Sequence, residues 1–151
     1  MRVSAKADYA IRAMVELAAA GEGPLKADRI SQAQEIPIKF LENIMSDLRN
    51  SGLVRSQRGI DGGYWLARPA AEISLAQVMR AVDGPLANVR GLPPEDVSYS
   101  GIAEPLRDVW IGVRASLRRV LEAVTLADVA RGELPADVVA LTADDDAWQP
   151  R

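Results

Sequence analysis

Neither cysteine nor histidine occurs anywhere in the 151 residues. Their absence removes disulfides, thiolate and imidazole metal sites, cysteine nucleophiles and every Ser–His or Cys–His catalytic pair. Long hydrophobic runs are missing as well. No stretch approaches the roughly 20 apolar residues that span a bilayer, and the start MRVSAKADYA has no apolar signal-peptide core. The expectation is a cytoplasmic chain with no membrane partner. A strong positive balance is also lacking: 18 Lys/Arg stand against 21 Asp/Glu, for a net charge of −3. That argues weakly against a nucleic-acid partner, but the charge on one face matters more than the total. Residues 1–70 hold 10 basic and 8 acidic side chains (+2), whereas 71–151 hold 8 and 13 (−5). The slight basic excess is N-terminal.

What is present is an ordinary globular composition, 48% apolar and 26% charged, at a length suited to one core plus an extra helix or tail. Tyr9, Ala10, Ala13, Met14, Leu17 and Ala18 fall at helical spacing over 4–20, and Gly21, Gly23 and Pro24 stop that helix. A short helix is expected over about 26–33. A third runs from Pro37, suited to a first turn, to Ser51, with Ile38, Leu41, Ile44, Met45 and Leu48 on one face. Gly52 stands where a left-handed cap would go. Two strand-like runs, Leu53 to Gln57 and Tyr64 to Arg68, flank Gly59, Asp61, Gly62 and Gly63, which is a hairpin signal. Helices followed by a hairpin make a winged helix-turn-helix. Ser74 to Gln77 fits a capping box and opens the next helix, which ends at Asp83-Gly84-Pro85.

From Glu104 to about Val124 a long stripe carries Leu106, Val109, Trp110, Val113, Leu117, Val120, Leu121 and Val124. It exceeds what a small winged domain covers from one side, so part of it is expected to be the seam of a homodimer, although core packing would give the same pattern. Thr125-x-x-Asp128 marks another helix start, closed by Gly132, and the end TADDDAWQPR reads as a mobile tail. The fold class is therefore mainly α with a small β-hairpin wing: a winged helix-turn-helix plus a long C-terminal dimerisation helix. The expected units are a DNA-binding domain (1–84), a connecting or effector loop (85–103), the dimerisation helix with a short helix after it (104–132) and a tail (133–151).

In a helix-turn-helix the second helix of the pair enters the major groove, its first turns reaching base edges. Here that helix presents Lys39 to a phosphate or guanine, Glu42 to cytosine N4, Asn43 to adenine and Phe40 to a thymine methyl. The hairpin carries Arg58 beside Gly62, Gly63 and Tyr64, a turn whose glycines let backbone approach a phosphate and whose arginine could enter a narrow minor groove. Arg2, Lys6, Arg49 and Arg55 are further phosphate candidates. Each of these residues could equally be ordinary surface, and any hairpin turn uses glycine. No convergent acid/base pair is visible, so no enzyme is expected, and no cofactor or metal.

With these residues in view, the chain resembles the Rrf2 family of bacterial transcription regulators over nearly its whole length. SAKADYAIRAMVELA is similar to the family's first helix, IPIKFLENIMSDLRNSGLVRSQRG-x-x-GGYWLARP to its recognition helix and wing, and ISLAQVMRAVDG to the helix that follows. The long helix from Glu104 is similar to the one that forms the family's dimer interface. The resemblance implies that Pro37, Lys39, Phe40 and Glu42 occupy base-contacting positions and that Arg58 is the wing arginine of the minor groove. Pro37 replaces the small hydroxyl residue that some members carry. Well-known members hold an iron–sulfur cluster through three cysteines in the loop before the dimer helix, but here that loop, PLANVRGLPPEDVSYSG, has none. The resemblance therefore implies a cluster-free regulator, acting by repression on duplex DNA and controlled by a small-molecule or protein effector at or near 85–103. Trp110, on the helix just after that loop, is a candidate apolar wall nearby, and a plain connector is the simpler reading. The competing function is a winged-helix interaction module whose main partner is another protein, favoured by the mild N-terminal charge and the acidic C-terminal half.

Overall fold

The computed structural model describes residues 2–150. Helix α1 (Ala5–Ala20) starts where the Ser4 hydroxyl accepts the Ala7 N–H at 2.9 Å, satisfying a donor that a helix start otherwise leaves unpaired. Its inward face is Ala7, Ala10, Ala13, Met14 and Leu17, all buried. Three alanines on that face let other backbones come close. Helices α2 (Ala27–Gln34), α3 (Ile38–Asn50), α4 (Leu75–Asp83) and α6 (Leu126–Arg131) all pack on α1, which is the centre of the core.

Pro37 lies one residue outside α3 rather than in its first turn: its ψ of 128° is extended, and its carbonyl accepts the Leu41 N–H at 3.0 Å. The helix buries Leu41, Ile44, Met45 and Leu48. It ends as the glycine leads one to expect. Gly52 has φ 75°, the Leu53 N–H reaches the Leu48 carbonyl and the Gly52 N–H the Arg49 carbonyl, each at 3.0 Å. This pair of bonds satisfies two end carbonyls and turns the chain directly into the hairpin.

The hairpin strands are shorter than their apolar runs, β1 (Val54–Gln57) and β2 (Gly63–Leu66), paired antiparallel with Arg55 opposite Trp65 and Ser56 opposite Tyr64. A contact invisible in the sequence extends the sheet. Leu25, just before α2, exchanges two backbone hydrogen bonds with Tyr64, at 2.8 and 2.9 Å. Glycine is needed beside it. A Cβ on Gly63 (φ 147°) would sit 2.7 Å from the Leu25 carbonyl oxygen, and one on Gly62 would sit 2.1 Å from that of Gln57.

Helix α4 carries the expected capping box, Ser74 with Gln77, and α6 carries the second, Thr125 with Asp128, closed by Gly132 at φ 69°. The two helix entries are tied together: the Leu75 N–H bonds the Val124 carbonyl and the Leu126 N–H bonds that of Ile73, both at 2.9 Å. Val124 is consequently 3% exposed inside the monomer and does not belong to the outward stripe in which its spacing placed it. Between α4 and α5 (Leu106–Leu121) the segment 85–103 is irregular but folded. Arg90 and Gly91, both at positive φ, form a tight turn closed by Val89 and Leu92, and short 3-10 turns follow at Pro94–Asp96 and Gly101–Ala103.

The tail expected over 133–151 contains a helix, α7 (Ala136–Thr142), and a 3-10 turn, Asp145–Trp148, pinned by the Trp148 indole donating to the Thr142 carbonyl at 2.7 Å. Neither buries a residue, so no apolar periodicity announced them. Among the described residues no helix is long and apolar enough to cross a membrane.

The glycine geometry gives a stability test. Gly62→Ala and Gly63→Ala should each cost at least about 2 kcal/mol, because backbone must move. Gly59→Ala, with positive φ but open space around it, should cost about 1 kcal/mol. Urea unfolding midpoints of the three variants measure the order, and an equal cost at all three positions would refute the packing explanation.

Candidate nucleic-acid interface

With Leu41, Ile44, Met45 and Leu48 turned inward, the opposite face of α3 is left to solvent. Lys39, Phe40, Glu42, Asn43 and Arg49 are all exposed, and Phe40 is 60% so. An aromatic ring that open on a rigid helix contributes little to the core, and with the flanking cation, carboxylate and amide it makes a surface able to meet base edges and methyl groups. Pro37, exposed at the helix entry, borders this face.

Continuing from the C-terminal end of α3, the Arg49 guanidinium reaches the Ser56 hydroxyl on β1 at 3.4 Å. A groove there is lined by Arg49, Arg55, Arg68 and Trp65. Arg55 was expected; Arg68 and Trp65 were not. They lie two (Trp65) and five (Arg68) residues past the recognisable turn motif, which ends at Gly63, and the register that sets Trp65 opposite Arg55 brings them to the groove. Farther out, Arg58 is exposed at the turn, together with Ile60, an apolar side chain 89% exposed that spacing did not single out. Among the described residues, Lys39, Arg49, Arg55, Arg58 and Arg68 form no ion pair, so their charge is free to meet an anion.

Other expected contacts are placed differently. Lys6 pairs with Asp47 of α3 at 2.7 Å and helps hold that helix to α1. Arg2 lies at a cleft with Asp83 to Arg90 and Trp110, on the α5 side of the domain. Gly63 and Tyr64 are engaged with Leu25, and Tyr64 packs against the core, so their presence is accounted for by the sheet.

Helix α5 buries no residue completely. Leu106, Val109 and Val113 are exposed, while Trp110, Leu117, Val120 and Leu121 are half-buried, as is Ile111, which the stripe had omitted. Two polar ties join it to the loop before it, the Trp110 indole donating to the Tyr99 hydroxyl at 2.8 Å and Arg114 pairing with Glu95, and Pro94 and Val97 of that loop are buried. The backbone N–H of Glu95 itself and then the Arg114 guanidinium hold this carboxyl below its ordinary value.

The matching family model, described as an iron-dependent transcriptional regulator, covers residues 3–132. The chain belongs to the Rrf2 family. It is similar to Rv1287 of Mycobacterium tuberculosis, named among the HTH-type transcriptional regulators, with 56% identity over 145 residues, 95% of this chain and 90% of that one. It is 36% identical over 131 residues to the HTH-type transcriptional regulator CymR of Bacillus subtilis, covering 86% and 90% of the two chains. The solved structure of that protein, the global cysteine regulator of B. subtilis, superposes with a TM-score of 0.73 over 87% of this chain and 97% of that one, at 34% identity. T. potens IscR superposes with a TM-score of 0.68 at 31% identity, covering 100% and 93%. The winged helix-turn-helix is thus the scaffold of a DNA-binding transcription regulator, and these relatives are regulators rather than enzymes.

The iron in the family description finds no matching donors here. Iron–sulfur clusters are held by thiolates, in some cases with imidazoles, and the sequence has neither. Among the described residues no three carboxylates converge on a metal-sized site, and Glu95 of the loop is committed to Arg114. The residues present do not fit the group.

A pH test follows from Glu95. Because its folded value is lowered, the loop–α5 clasp is complete above the ordinary glutamate value of about 4.3 and is lost as pH falls through the lower folded value. The Trp110 indole N–H resonance should therefore move in an acid titration below that value, and Glu95→Gln should remove this step. An unchanged titration in the variant would dissociate the clasp from Glu95.

Proposed function

We infer that the protein acts as a homodimer that represses transcription by holding duplex DNA with paired copies of α3 and the wing, and that its signal is sensed without an iron–sulfur cluster. The observation that carries this reading is the exposed face of α3: Lys39, Phe40, Glu42 and Asn43 stand in open solvent on a helix whose other face is fully buried. Lys39 and Asn43 are suited to base edges, Phe40 to a thymine methyl and Glu42 to cytosine. Arg49, Arg55 and Arg68 are suited to the phosphate strand beside the helix, and Arg58 to the minor groove next to it.

The homodimer is supported by the exposed apolar side chains of α5. Leu106, Val109 and Val113 form a contiguous stripe that water faces in the monomer, and a second copy across a two-fold axis buries such a stripe most economically. Two-fold symmetry also supplies two recognition helices for two half-sites. The signal acts at or near 85–103, as a small molecule or a partner protein, because this segment connects the DNA-binding core to α5 and is tied to it by the Tyr99–Trp110 and Glu95–Arg114 contacts.

The test is binding to the protein's own promoter and to a scrambled duplex at two salt concentrations, with native mass measured alongside. Lys39→Ala or Arg58→Ala should weaken promoter binding by about 1–3 kcal/mol with the dimer retained. Arg55→Ala and Arg68→Ala should weaken both duplexes alike and lower the salt slope by about one unit each. Val109→Glu with Val113→Glu should halve the native mass. Salt-insensitive, sequence-blind binding by the unaltered protein would instead favour a winged-helix module whose partner is a protein.

A further inference from the structure

Away from α3 and the wing, a cleft of about 530 Å³ opens between the α4–α5 connection and α5 itself. Its size falls in the range of small-molecule sites. Its apolar wall is Met79, Leu86 and Trp110, with the half-buried Trp110 indole fixed in place by its hydrogen bond to Tyr99. Its polar groups are Arg2, Asn88 and Arg90, and the one acid, Asp83, already accepts the hydroxyl of Ser4. Arg90 is held in the left-handed region at φ 55°, a conformation that costs a non-glycine residue energy, and its guanidinium lies 5.7 Å from the centre of the Tyr99 ring. Neither Arg2 nor Arg90 is ion-paired among the described residues.

We propose that this cleft binds a small organic carboxylate: an apolar body lies against Trp110, Met79 and Leu86, and its carboxylate is taken by Arg90 and Arg2. Two arginines against one acid leave the lining with a single net positive charge, which suits a monoanion. A guanidinium binds a carboxylate through paired N–H donors, and Asn88 adds a donor that a neutral body without acceptors cannot use. Inorganic phosphate would satisfy the arginines but leave the apolar wall wet.

The location gives the ligand leverage. Arg2 leads into α1, Met79 and Asp83 belong to α4, and Trp110 belongs to α5, so the occupant touches the DNA-binding core and the α5 arm at once. A carboxylate that fits one setting of this joint better than the other shifts the angle between them by its difference in affinity. This consequence rests on the regulator reading above; the binding site itself does not.

The experiment is an NMR titration of the ¹⁵N-labelled full chain with benzoate, hexanoate and indole-3-acetate, each beside its neutral amide, with promoter binding measured on the same preparation. At least one carboxylate should shift the Trp110 indole N–H and the Gly84 and Asn88 amides saturably, one per chain, with its amide about tenfold weaker. Arg90→Gln should weaken the acid by about tenfold and leave the amide unchanged, with Arg2→Gln as the second variant in case the first disturbs the turn. Absence of saturable shifts at these residues, equal binding of acid and amide, or indifference to both arginine substitutions overturns the proposal, including the case in which a second copy of the chain fills the cleft. Carboxylate binding without promoter binding keeps the site and sinks the regulator reading; promoter binding without carboxylate binding does the reverse.

Discussion

The DNA-binding core is positioned by the close approach that the small side chains of α1 permit. Ala7, Ala10 and Ala13 are completely buried, and α2, α3, α4, α6 and β2 all rest on the same helix. Larger residues there would push α3 outward and change the angle at which its outer face is presented, since interiors are packed without slack. The magnitudes divide the labour on α3. Each of Leu41, Ile44, Met45 and Leu48 contributes about 1.5–3 kcal/mol by burial, whereas an exposed ion pair such as Lys6 with Asp47 is worth at most about 1 kcal/mol. Stability comes from the inner face, and the outer face is thereby free to carry side chains chosen for a partner.

Local signals in the sequence carried much of this. The two capping boxes, the glycine that ends α3 and the hairpin turn all depend on residues within a few positions of one another, and each stands where spacing located it. Features built from distant residues were not legible. The Leu25–Tyr64 pairing is a single bridge with no period, and it gives Gly63 and Tyr64 a second neighbouring strand partner that the hairpin signal did not show. Val124 continued an apolar stripe in register, but the helix ends at Leu121 and the chain turns back to pair with Ile73 to Leu75, which takes the side chain inside. Arg68 and Trp65 joined the basic groove only through strand register. In the same way, nothing in the neighbourhood of Lys6 indicated that Asp47, 41 positions away, would take its charge.

The family scaffold and the chain's own chemistry part company at the loop before α5. A chain without thiolate or imidazole cannot hold an iron–sulfur cluster in the ordinary way, yet the loop retains order by other means: a tight turn at Arg90-Gly91, the Tyr99–Trp110 hydrogen bond and the Glu95–Arg114 pair. Beneath them Pro94 and Val97 are buried, so the segment is anchored by packing as well as by these polar ties. The core of the DNA-binding unit, by contrast, contains no buried polar or charged residue among those described.

Paired binding requires that two copies of α3 and the wing meet one duplex together. Hydroxyl-radical and methylation footprinting of the protein on its own promoter tests this most directly. Two related major-groove sites are expected, centred about one helical turn or a multiple of it apart, with protection of the minor groove beside each where the wing lies. A single protected site with no symmetry mate, or protection that ignores the grooves, would contradict it.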